Sequence, residues 1–376
     1  MSVDKKKVLM IACRTLDNGG VQAVMMDITR NCQDACSFDM VVFTKKEGFY
    51  DKEFLSYGGR IFRIPRFYEK FGFLKIIDYY IRAGYVYKNL KKIMLENGPY
   101  DVVHCHNEEE TALALLAAEK AGIPIKIAHT HTQRCMKTKN PFARFYKWVY
   151  RKIIEGKATY KLGCSVDACR SFYLNAENAL VINNPYNSQK FDYDKYGDYK
   201  VTEPSLVQIG NFSHNKNQIF SLEVIYEIKK EYPNVHFDMI GSDIHNTLTQ
   251  IKQKIKSLSL EDNVTIHPGD ANSPELLSKA TGFLFPSQKE GFGIVAIEAQ
   301  AMGVKCYASD TVPKLTNCGG CEYLPLSAGA KYWADIIIKD FKTTGGKRQR
   351  YDCSRFSAEK IARDYKDIYG GKSLNE

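Results

Sequence analysis

No stretch of this 376-residue chain reaches the roughly 18 consecutive apolar residues that a membrane-spanning helix needs, so no transmembrane helix is expected. The opening MSVDKKKVLMIAC places lysines before a short apolar run. That run stops at Arg14 without a small-residue cleavage site, and it reads as a first buried strand rather than a signal peptide. No GxGxxG occurs, which counts against a dinucleotide-dependent dehydrogenase. The tail Gly370-Gly371-Lys372-Ser373 looks like the end of a Walker loop, but the earlier glycine that loop requires falls at Lys366. Cys318-Gly-Gly-Cys321 is a CxxC with no second ligand pair at zinc spacing. The eleven cysteines are an odd, scattered set, and several (Cys13, Cys105, Cys164, Cys306) sit in apolar stretches. Buried, reduced thiols of a cytoplasmic protein are the expectation. Internal repeats and low-complexity segments are also lacking.

What is present is ordinary globular composition, 44% hydrophobic and 26% charged, in a length that suits two to three domains. The net charge of +10 is unevenly spread. Residues 60–92 carry nine Lys/Arg against Glu69 and Asp78, and residues 134–161 carry nine against Glu155. Both windows interleave the cations with aromatics, among them Phe62, Phe67, Tyr68, Phe71 and Phe73 in one and Phe142, Phe145, Tyr146, Trp148 and Tyr150 in the other. Basic heads with aromatic bodies suit an anionic membrane surface. The same mixture is found on nucleic-acid binders, and on a solvated basic face whose aromatics point into a core.

Short β-branched runs alternate with helix-length amphipathic segments. Strands are expected at 8–12, 38–43, 60–64, 101–104, 125–128, 160–164 and 180–182, then at 206–209, 235–240, 263–266, 282–285 and 304–308. Helices are expected at 21–31, 111–121, 218–231 and 294–301, with a last one over 356–369. This alternation indicates an α/β protein with parallel sheets. The polar, proline-bearing stretch 183–204 interrupts the series and reads as a linker between two Rossmann-like domains. In such sheets ligands bind beyond the carboxyl ends of the strands.

Four loops at strand ends carry chemistry. Gly19-Gly20-Val21-Gln22 follows the first strand and opens a helix; it either lets a diphosphate approach backbone at a helix N-terminus or simply makes a tight turn. Gly210-Asn211-Phe212-Ser213-His214-Asn215-Lys216 follows the first strand of the second series, and Lys216 suits a phosphate or an exposed loop. Lys289-Glu290-Gly291-Phe292-Gly293-Ile294 opens a helix in which Glu298 is the one charged residue. A carboxylate in so apolar a helix needs partners, and the vicinal hydroxyls of a ribose would supply them. Capping or ion pairing is the bland alternative for both glutamates. His104-Cys105-His106 and His129-Thr130-His131-Thr132 could each ligate a metal, because alternate strand residues share a face. Without a carboxylate or cysteine to complete the set, hydrogen bonding to a substrate is favoured, with Asn107, Glu108, Thr130 and Thr132 suited to sugar hydroxyls. Asp192-Tyr193-Asp194 spells a DxD but lies in the linker, and is read as coincidence.

Together these segments resemble the retaining glycosyltransferases of family 4. FPSQKEGFGIVAIEAQAMGVKCYASD (285–310) is similar to that family's E-x7-E region, and the GGVQ turn, AHTHT, Asn183-Asn184-Pro185 and the Gly210…Lys216 loop occur in the family's order. The nearest subgroup makes bacterial capsular or exopolysaccharides. The resemblance implies a GT-B fold: two facing Rossmann-like domains with a cleft between them and a C-terminal helix crossing back to the first. The acceptor-binding domain would be 1–186 plus about 355–376, the linker 187–204 and the donor-binding domain 205–354. It implies backbone contact of Gly20 with the donor diphosphate, and Lys216 on the diphosphate from the other domain. Glu290 would read the transferred sugar, with backbone amides from Phe292, Gly293 and Ile294, and Glu298 would bind ribose. His131 matches the family's active-site histidine, with His129 the rival. Asn211 stands where the family has arginine; His214 is a substitute cation. Catalysis by His131, Glu290 and Lys216 would need no metal or other cofactor. The implied reaction moves a sugar from a nucleotide-diphosphate sugar, UDP by family frequency, to a lipid-linked glycan with retention of configuration. The implied setting is cytoplasmic, peripheral on the inner face of the plasma membrane, without nucleic acid. A sugar-nucleotide epimerase and a non-catalytic sugar-binding protein are the alternatives.

Overall fold

The computed structural model describes residues 5–12, 14–65, 75–106, 110–131, 141–196, 201–243 and 246–372. Residues 66–74 and 134–140 of the two basic windows lie outside the described residues, with the side chains of 75–81 and 142, as do Cys13, Asn107, Glu108, Thr132 and Ser373. The chain divides into two compact units, Met1–Pro185 with Ala358–Glu376, and Tyr186–Ser357.

In the first unit seven strands form one parallel sheet: β1 (Lys6–Ile11), β2 (Cys36–Val42), β3 (Ile61–Arg63), β4 (Val102–Cys105), β5 (Ile125–Thr130), β6 (Tyr160–Gly163) and β7 (Leu180–Val181). Their order is β3-β2-β1-β4-β5-β6-β7. The central strands are apolar on both faces, as they must be when helices cover both sides. Val8, Leu9, Met10 and Ile11 of β1 are fully buried, as are Val102 and Val103 of β4. Each such aliphatic residue contributes about 1.5–3 kcal/mol by leaving water. The helix Ala358–Tyr369 belongs to this unit and packs on the helix Gly20–Asn31. Its apolar stripe, Ile361, Ala362, Tyr365, Ile368 and Tyr369, recurs at helical spacing and is buried throughout.

The second unit has six parallel strands: β8 (Ser205–Ile209), β9 (His236–Ile240), β10 (Val264–His267), β11 (Gly282–Phe285), β12 (Cys306–Ser309) and β13 (Cys321–Leu324), in the order β10-β9-β8-β11-β12-β13. β13 is not foreseen in the sequence. It is a four-residue edge strand, mostly half-buried, so it lacks the apolar run that marks the others. In both sheets the strand order reverses between two central neighbours, β1 and β4 in one and β8 and β11 in the other.

The stretch expected as a linker has contacts of its own. Its residues from Tyr186 onward fall in the second unit. Arg348 donates to the Tyr196 carbonyl at 2.7 Å, and the guanidinium groups of Arg348 and Arg350 both lie 4.4 Å from the Tyr193 ring centre. The DxD acids have structural work here. Asp192 accepts from the Asp194 amide at 3.0 Å and caps a short turn, and Asp194 pairs with Arg350. Among the described residues nine cysteines are free thiols, and seven of these are buried.

Candidate active site

The reversal point of the second sheet brings two opposite charges together. The loop after β8 carries Lys216 and the loop after β11 carries Glu290, and their side chains pair at 2.6 Å. Both are largely shielded, at 21% and 11% exposure. Gly210 ends β8 with φ +150°, and a Cβ there would lie 3.1 Å from Lys216 Cε. The glycine therefore lets the lysine stem fold back across the strand end. Lys216 Nζ also sits 5.2 Å from the centre of the Phe285 ring, and Gln208 holds the Lys216 carbonyl at 2.7 Å. The two loops are tied directly: the Gln288 amide donates to the Asn215 carbonyl at 2.8 Å, and Asn215 Nδ2 to the Lys289 carbonyl at 2.7 Å.

Beyond Glu290, Gly293 takes φ +94° and caps the helix Ile294–Ala301, whose first turn has no side-chain cap and no acid. Only glycine adopts that conformation readily, and a Cβ would also stand 3.1 Å from Phe285. An uncapped N-terminus presents amide N–H groups and the positive end of the helix dipole, which suits a phosphate. Phe292 is buried edge-on against Phe356. Glu298 is half-buried one turn into the helix. Gln300 fixes that helix in place. Its Oε1 accepts from the Cys318 and Gly320 amides at 2.7 and 3.0 Å, and its Nε2 donates to the Ala296 and Thr316 carbonyls at 2.8 Å each.

In the first unit Gly20 opens its helix after β1. It is exposed, and a Cβ there would meet nothing within 4 Å, so packing does not demand a glycine. This helix also lacks a side-chain cap and an acid in its first turn. Across the reversal, the two His-X-His pairs become one cluster, because β4 and β5 are neighbours in register. His104 Nε2 lies 3.1 Å from His129 Nδ1, and His106 Nδ1 lies 2.9 Å from His131 Nε2. Tyr369 OH meets His104 Nδ1 at 2.8 Å, and Asn184 Oδ1 meets His131 Nδ1 at 3.0 Å. All four rings are buried, His131 the least so at 7% exposure. Burial pushes every one of these imidazoles down. His131 reaches about 4 even though its Asn184 bond favours the charged form, and the other three are held well below the ordinary range by burial and by one another.

Two family descriptions match this chain, "Glycosyltransferase Family 4" over residues 18–160 and "Glycosyl transferases group 1" over residues 190–316. The chain belongs to the family 4 glycosyltransferases. One relative is CapH of Staphylococcus aureus, a capsular polysaccharide biosynthesis glycosyltransferase, 28% identical over 98% of this chain and 99% of its own length. Another is the Escherichia coli UDP-Gal:alpha-D-GlcNAc-diphosphoundecaprenol alpha-1,3-galactosyltransferase, 26% identical over 73% of this chain and 72% of its own. Among solved structures, Anabaena HepE in complex with UDP and glucose superposes with a TM-score of 0.74 at 17% identity, covering 97% of this chain and all of HepE. The two sheets are those of the GT-B fold.

The structure thus brings some of the residues singled out in this glycosyltransferase's sequence together. Lys216 and Glu290 touch, and Asn211, Phe292, Gly293, Ile294 and Glu298 lie on the same two strand-end segments. Asn211 is half-buried and its carbonyl accepts from Gln218 Nε2 at 3.2 Å; His214 is exposed in the turn before Lys216. His131 differs from the simple expectation, since both its ring nitrogens already have protein partners, His106 and Asn184. In the sequence Asn184 stands out only as part of the Asn183-Asn184-Pro185 junction. Nothing local marks it as a histidine partner, because the two lie 53 residues apart in sequence. Gln300 was not singled out, although a lone amide in an otherwise apolar helix is a signal for a buried, fully bonded side chain.

Proposed function

We propose that this glycosyltransferase moves a sugar from a UDP-sugar to a lipid-linked glycan in cell-surface polysaccharide synthesis, with retention at the anomeric carbon. The observation that carries the reading is the Lys216–Glu290 pair at the reversal point of the second sheet, where α/β sheets hold their ligands. A free lysine or a free glutamate there would be a solvated loop charge. A shielded pair keeps both groups in place and neutral overall until a ligand divides them.

In this reading Lys216 turns its ammonium to the donor diphosphate, and the uncapped helix at Ile294 adds backbone amides from Phe292, Gly293 and Ile294. Glu290 accepts from hydroxyls of the sugar, and Glu298 from the ribose. Gly20, in the first unit, leaves an uncapped helix N-terminus open to an anion. As the bond from C1 to the diphosphate breaks, negative charge grows on the leaving oxygen, and Lys216 with the N-terminus of the helix at Ile294 stabilises it. The acceptor oxygen bonds C1 on the same face, and its proton passes to the departing diphosphate. Asn211 stands on the same loop as Lys216. No step draws on a metal.

The acceptor side of the reading rests on the exposed face of the helix Pro141–Lys157. Phe145 and Trp148 stand out at 66% and 49% exposure with ring centres 6.0 Å apart, and Lys152 lies over Trp148. Aromatic bodies beside lysines suit the interfacial zone of an anionic membrane, where a lipid-linked acceptor resides. The CapH and Escherichia coli relatives, by name, act in capsule synthesis and on a diphosphoundecaprenol acceptor. The test is a thermal-shift screen of nucleotide diphosphates and nucleotide sugars. UDP and at least one UDP-sugar should raise the melting temperature; a flat response to every nucleotide would refute the reading.

A further inference from the structure

The histidine cluster of the first unit holds more donor capacity than its hydrogen bonds use. Asn184 presents a carbonyl oxygen to His131 Nδ1, so that nitrogen carries the proton and His131 Nε2 is an acceptor. His106 Nδ1 meets that acceptor, so it too carries the proton, and the lone pair of His106 is left on Nε2. His106 Nε2 is buried without a hydrogen-bond partner among the described residues, and so is His129 Nε2. The Tyr365 hydroxyl, also buried and unpartnered, belongs to a ring that lies 5.8 Å from His104 and 6.2 Å from His129. Each orphaned buried polar atom costs about 1–3 kcal/mol, so three in one place ask for a common partner.

We propose that His104, His106 and His129 bind one divalent transition-metal ion of the zinc class inside the first unit, His106 and His129 through their unpartnered Nε2 atoms and His104 through Nε2 in exchange for its hydrogen bond to His129 Nδ1. One ring nitrogen of each lies within 4.8 Å of the others. Zinc–nitrogen bonds of about 2.0–2.1 Å place tetrahedral ligands about 3.4 Å apart, so the rings need close by little more than about 1 Å. Three imidazoles without thiolate or carboxylate select a borderline metal such as Zn2+ over Mg2+ or Ca2+. The surroundings supply the outer partners such ligands require. A metal-bound histidine donates its other N–H to a fixed acceptor, and His106 Nδ1 does so to His131, which is itself held by Asn184. The ion joins β4 to β5, with a water molecule as its fourth ligand, and His104 links it to Tyr369 of the C-terminal helix. It stands apart from the transfer reaction proposed above and does not depend on it.

The test uses the full chain, produced without a polyhistidine tag in zinc-supplemented medium. It is dialysed against metal-free buffer and assayed by mass spectrometry for metals, and it is also refolded with Co2+. The expected result is about one zinc per chain, a fall of at least tenfold in the double variant His106→Gln/His129→Gln at unchanged far-UV circular dichroism, and the visible absorption of tetrahedral, nitrogen-ligated cobalt. Less than half an equivalent of zinc in the wild type, as when a water molecule bridges these nitrogens instead, would overturn the proposal. So would undiminished metal in the double variant. If that variant does not fold, the wild-type cobalt spectrum decides, with absent or octahedral-type bands counting against the site.

Discussion

Replacing Lys216 by alanine removes the ammonium that pairs with Glu290 beyond the end of β8, and its effect is calculable. In the donor-free protein the lysine is 2.6 Å from Glu290 and is shielded from water by its own stem across Gly210 and by Phe285. A charge-assisted hydrogen bond to phosphate contributes about 1.5–3 kcal/mol net. Lys216→Ala should therefore weaken UDP binding about 10- to 150-fold by isothermal titration calorimetry. It also leaves Glu290 largely buried without its cation, at about 1–3 kcal/mol, so a lower melting temperature should accompany the loss. Glu290→Gln separates the two roles. It keeps the size of the side chain and frees Lys216 from its counter-charge, so UDP should bind as tightly as in the wild type or more tightly. The advantage of a UDP-sugar over UDP should shrink, because the amide replaces a carboxylate that accepts from sugar hydroxyls. Equal UDP affinity in wild type and a folded Lys216→Ala protein would refute the reasoning. So would a Glu290→Gln protein that loses UDP and UDP-sugar affinity in equal measure.

Three further outcomes follow from other parts of the molecule. Gln300→Leu orphans two amides and one carbonyl in the turn that supports the donor-side helix, and should cost about 2–4 kcal/mol, read as a lower urea midpoint; a midpoint within error of wild type would contradict that role. The double variant Phe145→Ser/Trp148→Ser should bind vesicles containing anionic lipid at least about fivefold more weakly, with unchanged affinity for UDP; unchanged sedimentation with vesicles would remove this helix from the membrane reading. The third concerns Asp238, which accepts from His236 at 3.2 Å and His267 at 2.6 Å. Burial works against its charge, but the two histidine hydrogen bonds outweigh it and hold the carboxyl below its usual range, while the Asp238 bond raises His236. A raised histidine stabilises fully below its unfolded pKa of about 6.5 and loses that contribution as pH rises through the folded value. The depressed Asp238 contributes above about 4 and loses its contribution as pH falls further. The stability gap between wild type and Asp238→Asn, roughly 1 kcal/mol or less for so exposed a histidine, should be widest near pH 5–6 and narrower at pH 8. A gap that widens with pH would contradict the assignment.

The strand-helix alternation was readable because buried central strands must be apolar on both faces, and twelve of the thirteen strands, the edge strands β3, β7 and β10 among them, announce themselves by their apolar residues. β13 does not, because an edge strand with half-buried residues can be polar. Glu290, Lys216 and Gly293 were legible for a related reason. Acids, lysines and glycines at the carboxyl end of an apolar strand make a poor core. That Lys216 and Glu290 pair required the strand order, since the two residues are 74 apart along the chain yet follow strands, β8 and β11, that are adjacent in the sheet. The same holds for the histidines, two local pairs in sequence and one cluster once β4 lies beside β5. The stretch after Tyr186 looked like a linker because its contacts, Arg348 and Arg350 on Tyr193 and Asp194, come from 155 or so residues further on.

The central claim is that a nucleotide sugar is gripped at the end of β8 and β11. The most direct measurement is a crystal structure of the full chain with UDP and a UDP-sugar that raises its melting temperature. The account expects the diphosphate within hydrogen-bonding distance of Lys216 Nζ and the first turn of the helix at Ile294, with Glu290 turned to the sugar. A nucleotide bound elsewhere while the Lys216–Glu290 pair stays closed would contradict it.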